Sequence, residues 1–397
     1  MPPLAGSQTI TTIVTCEKRR GMTIYVDVSC AVHAKAGLKR YAESLVRELR
    51  PLLGERLRLF QNSLGRCGPL PGWEDHAPVG VRWGYRPWRL AVWLRHLAPR
   101  PMDSLLPDAS LFHATEHLLP PFERIPTILT VHDLIFQRFP QYHKALNYRY
   151  LRATMPLYCG KATAIIAVSR ATKKDLQSFY GIDPARITVI PEAAALCFVP
   201  QAPARIDDVR RRYRLPPRYL LSVGTIEPRK NLTRLVDACG PLLTENLING
   251  LVLVGRKGWL YEGFFRHLDA LPWRDRVILA GYVPDADLPA IYGGASVTVQ
   301  PSLCEGFGLP VLEAMASGSP VCTSNTSSLP EVGGDAARYF DPENIEEMTG
   351  VLRDLLLDAD LRQAMSQRGL AQAALFSWRR TAEQTLDLYE RVLESSH

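Results

Sequence analysis

Short apolar runs alternate with amphipathic helical segments along most of this chain, and this alternation constrains the fold more than any other feature. The run TIYVDVS at 23–29, for example, is followed by a helical pattern at 39–53. Strands that alternate with helices form parallel sheets whose two faces are covered by helices. The pattern predicts further strands at 55–61, 109–115, 126–133, 162–169, 187–193, 219–224, 250–255, 276–282, 296–302, 320–324 and 337–341.

The length of 397 residues and one break in the pattern predict two α/β domains. Residues 201–218 are rich in proline and charge, which favours a linker between domains. We therefore predict a first domain at 22–205, a second domain at 206–375 and a final amphipathic helix at 376–397. Residues 1–21 are expected to form a disordered extension.

A glycine-rich turn between a strand and a helix is the first candidate binding site. The sequence EGFGLPVLE at 305–313 follows an apolar strand and opens a helix predicted from Pro310, with Gly318 after its end. Backbone N–H groups and a helix N-terminus converge at such a turn, which suits an anionic ligand. Glu305 and Glu313 add two acceptor carboxylates, so the turn suits a ligand with both phosphate and hydroxyl groups, as in a nucleotide sugar.

A second strand–turn–helix unit, at 220–239, carries two adjacent cations. Its apolar strand leads into Gly224, and Arg229 and Lys230 precede an amphipathic helix. A guanidinium and an ammonium group at such a turn are well placed to bind a diphosphate. The plain alternative, for either unit taken by itself, is a solvated surface loop with charged side chains.

The two units together resemble the donor site of glycosyltransferase family 4, whose members are retaining nucleotide-sugar transferases with the GT-B fold. The resemblance extends over most of residues 22–393. It implies an α/β protein in which two doubly wound, Rossmann-like domains face a cleft, with ligands at the carboxyl ends of the strands. It also implies that the last helix, at 376–397, crosses back to the first domain.

The resemblance implies a role for the charged residues of both units. Arg229 and Lys230 bind the donor diphosphate and stabilise the charge of the departing group. Glu305 contacts hydroxyls of the donor sugar, and Glu313 holds the ribose hydroxyls. The donor-binding residues implied in this way are Gly37, Gly224, Arg229, Lys230, Gly255, Tyr282, Val283, Glu305, Gly306, Phe307, Gly308, Leu309 and Glu313.

Several of these positions depart from the family pattern or have an ordinary alternative. Gly37 lies in AGLKRY, which resembles the loop that approaches the diphosphate from the first domain, but relatives often carry a second glycine where Lys39 stands. Gly255 would allow close approach of the nucleotide, and its alternative is a turn at a strand end. Tyr282 and Val283 occupy the stretch that borders the base in relatives.

Polar residues at strand ends of the first domain complete the predicted site. His132, in TVHDL, resembles the family's cleft histidine near the reacting centre, and it joins Arg229, Lys230 and Glu305 in the predicted catalytic set. Asp133 is expected on the acceptor side, where it would orient the imidazole or cap a turn. His113 is also expected to line the acceptor side. The alternative for both histidines is a structural role at the end of an apolar strand.

The resemblance implies transfer of a hexose, with retention, from a nucleoside diphosphate sugar to a glycan or lipid-linked saccharide. The segment GTIEPRKN at 224–231 is similar to the variant in many mannosyltransferases of bacterial surface polysaccharide synthesis, which favours GDP-mannose. No metal or other cofactor is expected. The sequence DAD at 285–287 and 358–360 does not follow buried strands, unlike a metal-binding DxD.

Two other functions stay open at this point. Another GT-B enzyme, such as a sugar-nucleotide epimerase, uses a similar donor site and needs no acceptor. A basic α/β protein that binds nucleic acid is the second alternative. Against it, residues 206–397 hold 25 acidic and 20 basic residues, and the chain has no aromatic RNA-binding motif. We therefore expect no nucleic-acid partner.

A basic and aromatic stretch at 82–101 predicts contact with an anionic membrane surface. As a helix it would present Trp88, Val92 and Leu97 on an apolar face beside arginines, and residues 22–205 are basic overall, with 24 basic and 14 acidic residues. The alternative is a helix that packs its tryptophans into the first domain. Eight scattered cysteines without a CxxC pair favour a reduced compartment. We expect a cytoplasmic protein, attached peripherally at the cytoplasmic face of the inner membrane.

Overall fold

The computed structural model describes residues 22–33, 36–63, 70, 72–75, 78–98 and 100–395, so the extension predicted at 1–21 lies outside it. The strands are β1 Thr23–Asp27, β2 Leu57–Asn62, β3 Val79–Val81, β4 Ala109–Ala114, β5 Thr127–Val131, β6 Ala164–Ala167, β7 Ile187–Val189, β8 Tyr219–Val223, β9 Gly250–Val254, β10 Val277–Gly281, β11 Val297–Gln300, β12 Val321–Ser324 and β13 Ala337–Phe340.

Helices connect these strands throughout. They are α1 Ser29–Val32, α2 Ala36–Leu53, α3 Tyr85–Leu97, α4 Ile135–Arg138, α5 Ala145–Lys161, α6 Arg170–Tyr180, α7 Pro203–Arg212, α8 Leu232–Thr244, α9 Glu262–Asp269, α10 Leu288–Gly293, α11 Leu309–Ala316, α12 Leu329–Gly333, α13 Ile345–Leu357, α14 Ala359–Ala373 and α15 Trp378–Ser395. Short 3-10 turns lie at Gly54–Arg56, Asp103–Leu105, Pro140–Tyr142, Pro184–Arg186, Pro228–Lys230, Arg274–Arg276 and Gly334–Ala336.

Two parallel, doubly wound sheets confirm the predicted fold class. In the described chain, the first sheet has the strand order β3-β2-β1-β4-β5-β6-β7, and the second has β10-β9-β8-β11-β12-β13. Every strand pairing is parallel, as in Ile24↔Leu57 of β1 and β2. Among the described strands, only edge strand β3 was not predicted, because its sequence VGV is short and mostly exposed.

Both faces of each sheet are covered by apolar side chains. On one face of the first sheet, Leu45 and Leu49 of α2 pack with Tyr389 of α15. On the other face, Trp88 of α3 and Met155 of α5 pack against the strands. The last helix, α15, therefore belongs to the core of the first domain although it follows the second domain in sequence.

The segment expected to be a linker is partly a helix. Residues Pro203–Arg212 form α7, with Pro203 in its first turn, where the missing N–H costs nothing. Val209 is fully buried in the second domain's core. The prolines in this segment begin and follow a helix, so the connection between the domains is not irregular along the whole of 201–218.

The apolar face predicted for membrane contact is largely inside the first domain. Trp88 and Val92 of α3 are buried in the core, which corrects that part of the prediction. The same helix exposes Leu90, Leu94 and Leu97 on a different face. Among the described helices, none is both long and apolar enough to cross a membrane.

Candidate active site at the domain interface

Two loops leave the neighbouring strands β8 and β11, where the strand order of the second sheet reverses. The first loop carries Arg229 and Lys230 in a 3-10 turn, and the second carries Glu305 before α11. The loops touch, because the Leu303 N–H donates to the Arg229 carbonyl oxygen at 2.9 Å. A switch point of this kind is the usual ligand site of a doubly wound sheet.

Both cations bind Glu305. Lys230 Nζ lies 2.5 Å from Oε1, and Arg229 Nη1 lies 2.7 Å from Oε2. The Ser302 hydroxyl and the Gln300 amide donate to Oε1 at 2.6 and 3.0 Å. Burial by itself raises the pKa of Glu305, but the charges of Arg229 and Lys230 hold that pKa far below its ordinary value. The Glu305 carboxylate is therefore ionised and fixed in place.

A further carboxylate, Glu227, holds Arg229 from a second side. It is 4% exposed, and its Oε1 lies 2.6 Å from Arg229 Nε. Burial raises the pKa of Glu227, against the opposing charges of Arg229 and Lys230. The guanidinium is thus clamped between Glu227 and Glu305, which sets its orientation.

The glycine-rich turn meets the first domain through its backbone. A Cβ at Gly306 would lie 2.0 Å from the His132 carbonyl oxygen, so no larger residue fits there. The Ser169 hydroxyl donates to the Gly306 carbonyl oxygen at 2.7 Å. Gly308 has a φ of +115°, which favours glycine, and α11 begins at Leu309. The start of α11 therefore lies at the interface between the domains.

Glu313 is held differently from Glu305, because its cation comes from the other domain. Arg40 of α2 makes an ion pair with Glu313 and a second one with Asp285, at 2.8 Å. The Tyr292 hydroxyl donates to Glu313 Oε2 at 3.2 Å. Burial raises the pKa of Glu313 to about 7, although Arg40 and Tyr292 oppose the shift.

Both ring nitrogens of His132 are engaged by the first domain. Nδ1 lies 2.8 Å from Glu192 Oε1, and Nε2 lies 2.9 Å from the Thr115 carbonyl oxygen, which can only accept. Burial by itself lowers the pKa of His132, but the bond to Glu192 and its charge outweigh burial and raise it. Asp133 caps the following turn, since it accepts from the Ile135 N–H at 3.1 Å.

His113 does not line the cleft, so its prediction as an acceptor-side residue is wrong. It is fully buried, with Nδ1 2.6 Å from the Tyr389 hydroxyl of α15 and Nε2 2.7 Å from Thr130 Oγ1. Burial lowers the pKa of His113 to about 3, so the ring is neutral. Its role is to hold the last helix on the first domain.

Two glycines at strand ends of the second sheet, Gly224 and Gly255, are in close backbone contact. A Cβ at Gly255 would lie 2.0 Å from the Gly224 carbonyl oxygen, and a Cβ at Gly224 would lie 3.2 Å from Lys230 Cε. Close backbone packing therefore accounts for Gly255 without any nucleotide. Gly224 keeps space beside the Lys230 side chain.

The remaining predicted donor residues lie at the rim or in the core. Tyr282 is exposed, with Arg256 4.5 Å from its ring centroid, whereas Val283 and Phe307 are buried. Gly37 is exposed in the first turn of α2, and nothing lies within 4 Å of a Cβ built on it.

Three charged residues of the site were not predicted. Glu227 lies in the motif 224–231, shortly after an apolar strand. That position was the sequence signal that could have identified it. Arg40 follows Gly37 by three residues but meets Glu313 only through the fold. Glu192, the partner of His132, likewise comes from a distant strand end and carries no local signal.

The acidic residues near this site pair with cationic side chains or with His132. Among the residues that the structure describes, no three His, Cys, Asp or Glu side chains form a group suited to a metal ion. The DAD sequence at 285–287 contributes Asp285 to Arg40, and Asp287 to Arg205 at 2.5 Å and Arg212 at 2.9 Å.

Comparisons with known proteins agree with this geometry. Residues 36–194 match the family model described as Glycosyltransferase Family 4, and residues 206–372 match the one described as glycosyl transferases group 1. An O-antigen chain mannosyltransferase B of Escherichia coli is 35% identical over 301 residues, which is 75% of this chain and 78% of that protein.

Solved structures show the same fold at low identity. Sucrose-phosphate synthase from Thermosynechococcus elongatus superposes with a TM-score of 0.72 at 19% identity, over 94% of this chain and 100% of that one. Anabaena HepE in complex with UDP and glucose gives a TM-score of 0.70 at 17% identity, over 93% of this chain and 99% of that one. These likenesses establish the GT-B fold, with two Rossmann-like domains facing a cleft.

Proposed function

The chain belongs to glycosyltransferase family 4, and on that premise we propose that it transfers mannose, with retention, from GDP-mannose to a growing surface glycan. The observation that carries the proposal is the buried cluster of Arg229, Lys230 and Glu305 at the switch point. The adjoining turn packs Gly306 against the backbone of the first domain. The similarity to an O-antigen chain mannosyltransferase supports mannose and a glycan or lipid-linked saccharide acceptor.

In this proposal Arg229 and Lys230 hold the donor diphosphate and stabilise the charge that develops as it leaves. The bond between the sugar's anomeric carbon and the β-phosphate oxygen breaks, and a bond to the acceptor hydroxyl forms on the same face. The acceptor proton passes to an oxygen of the departing diphosphate. A preformed cationic site of this kind lowers the barrier because its groups need no reorganisation.

In this proposal the two glutamates bind different parts of the donor. Glu305 accepts hydrogen bonds from hydroxyls of the mannose, near the start of α11, and Glu313 accepts from the ribose hydroxyls. Tyr282 and Val283 would border the guanine, and Gly37 would approach the diphosphate from α2. The catalytic role of His132, which the family resemblance implies, stays a prediction. Both of its ring nitrogens are already hydrogen-bonded, and its carbonyl oxygen lies against Gly306. These contacts favour a role in which His132 positions the Gly306 turn.

A panel of sugar nucleotides tests the donor assignment. Thermal unfolding is measured with GDP-mannose and with the corresponding UDP, ADP and dTDP sugars, because a ligand that binds the folded state raises its apparent stability. We expect the largest shift with GDP-mannose. Transfer to a mannose-containing lipid-linked oligosaccharide is then followed by mass spectrometry. Equal shifts with every nucleotide would contradict donor selectivity, and release of an isomeric sugar nucleotide without acceptor would indicate an epimerase.

We further propose that a lipid surface brings the acceptor to the first domain. In α3, Leu90, Leu94 and Leu97 are exposed, and Trp83, which precedes the helix, is 50% exposed. The adjoining helix α5 exposes Leu146 and contacts α3, since Arg89 lies 3.8 Å from the Tyr150 ring centroid.

The charge of this surface matches anionic lipid. Residues 76–101 and 134–174 contain no aspartate or glutamate but many arginines and lysines. Exposed leucines in a part of the chain rich in arginine and lysine fit the headgroup region of an anionic bilayer, where each cation at the surface contributes on the order of 1 kcal/mol. The proposal therefore places the protein at the cytoplasmic face of the inner membrane.

Liposome flotation tests this surface. Arg82→Glu, Arg86→Glu and Arg95→Glu are combined, and an exposed triplet in the second domain, Arg211→Glu, Arg266→Glu and Arg368→Glu, serves as the charge-matched control. We expect the first triplet to abolish binding to phosphatidylglycerol vesicles and the control to retain most of it. Equal flotation of the wild type with neutral and anionic vesicles would contradict the proposal.

A further inference from the structure

Arg40 lies in the first domain and reaches across the cleft to two carboxylates of the second domain. Its guanidinium pairs with Glu313 through Nη1 and with Asp285 through Nη2, at 2.8 Å for the latter. The guanidinium carbon also lies 5.4 Å from the ring centroid of Phe198, in the crossing between domains. The Arg40 side chain is still 22% exposed, so it has room to move toward solvent.

The Glu313 carboxylate is sealed by these contacts. Its side chain is 2% exposed, with Arg40 on Oε1 and the Tyr292 hydroxyl on Oε2. A ribose that hydrogen-bonds to this carboxylate needs access to an oxygen that the guanidinium now covers. Tyr292 is fully buried and packed in the core of the second domain, which leaves Arg40 as the partner able to move aside.

We infer that Arg40 and the donor ribose compete for the Glu313 carboxylate, so that Arg40 leaves Glu313 when the donor binds. This inference rests on the proposed function, because it takes Glu313 as the ribose carboxylate. Arg40 then links the two domains at the nucleoside end of the site only while no donor is bound. The cations of the diphosphate end, Arg229 and Lys230, come from the second domain itself, so no ion pair between the domains has to break there.

The competition predicts that removing Arg40 strengthens the binding of GDP. Removing an arginine from a cleft that binds a polyanion normally weakens binding. Here Arg40→Ala leaves the buried Glu313 carboxyl group without its guanidinium partner, and the ribose hydroxyls become its best available partners. We expect the Kd for GDP to fall by about 3- to 10-fold, which corresponds to one modest exchanged interaction.

The experiment measures binding of GDP and of inorganic pyrophosphate by isothermal titration calorimetry. Arg40→Ala and Arg40→Lys are compared with the wild type and with Arg47→Ala, which removes an exposed arginine from the same helix. Arg40→Lys keeps the charge but cannot bridge two carboxylates as a guanidinium does. Both Arg40 variants should bind GDP more tightly, and pyrophosphate, which has no ribose, should bind unchanged.

A double-mutant cycle locates the effect at Glu313. In a Glu313→Gln background, Arg40→Ala should no longer tighten GDP binding, because the contested carboxylate is gone. Weaker or unchanged GDP binding by Arg40→Ala and Arg40→Lys would overturn the competition. Wild-type protein that binds no nucleotide at all would instead refute the proposed function, so the two failures are distinguishable. Circular dichroism of each variant excludes misfolding as the cause of any loss.

Discussion

The two glutamates of the proposed donor site are both buried, yet the protein holds them in opposite ways. Glu305 is surrounded by Lys230, Arg229 and neutral donors from its own domain, and its pKa is far below the ordinary value. Glu313 takes its cation, Arg40, from the other domain, and its pKa is raised to about 7. The proposed diphosphate end is thus built within one domain, whereas the proposed nucleoside end depends on how the two domains meet.

The largest effect is expected from the cations of the diphosphate end. Arg229→Ala or Lys230→Ala should lower turnover by roughly 10²-fold or more, because each removes charge stabilisation of the leaving group. Arg353→Ala, which removes a partly exposed arginine that pairs with Glu245, is the matched control and should keep normal turnover. Steady-state kinetics with GDP-mannose measures both. Normal turnover in the two site variants would show that this end does not carry the chemistry.

Exchanging the two glutamates for glutamine sharpens the comparison. Glu305→Gln should lower kcat by about 10-fold or more, since it removes the anion that orients both cations and contacts the sugar. Glu313→Gln should mainly raise the KM for the donor, by about 10-fold, because it weakens hydrogen bonds to the ribose. A change confined to kcat in Glu313→Gln, or to KM in Glu305→Gln, would reverse the assigned roles.

The two carboxylates should also contribute to stability with opposite pH dependence. Glu313 binds a proton in the folded state between its ordinary pKa of 4.5 and about 7, so stability falls as pH rises through this window, by on the order of 3 kcal/mol. Glu305 has a lowered pKa, so its contribution is present above 4.5 and is lost as pH falls further.

Urea unfolding of the wild type and Glu313→Gln at pH 5 and pH 8 measures this difference. The variant should lose the decline in unfolding free energy between the two pH values that the wild type shows. An identical pH dependence in the two proteins would place the pKa of Glu313 near its ordinary value.

The smallest effect is expected from chelation. Activity should be unchanged in EDTA, because Arg229 and Lys230 supply the positive charge that a divalent cation supplies in other transferases. Activity lost in EDTA and restored by manganese or magnesium would show that the diphosphate end is incomplete without a metal.

The difference between the two ends also explains what the sequence could predict. The proposed diphosphate end lies in contiguous motifs, 224–231 and 305–313, so each motif could be recognised locally. The resemblance to family 4 then implied that Arg229, Lys230 and Glu305 share one site. Arg40 is 273 residues from Glu313, and their contact exists only through the domain arrangement. Periodicity likewise predicted the parallel sheets but could not tell that His113 faces the last helix instead of the cleft.

Composition was ambiguous where one local pattern fits two structures. Proline and charge at 201–218 are typical of linkers, but Pro203 also suits the first turn of a helix. The tryptophan at position 88 fits either a membrane face or a core, and burial in the first domain decided it.

Binding of GDP and of inorganic pyrophosphate to Lys230→Ala and Glu313→Gln tests the division of the site most directly. By calorimetry, Lys230→Ala should weaken both ligands by about 10-fold or more, since both carry the phosphates. Glu313→Gln should weaken GDP by about 10-fold and leave pyrophosphate unchanged, since only GDP carries the ribose. An equal loss of both ligands in Glu313→Gln, or undiminished pyrophosphate binding in Lys230→Ala, would contradict the account.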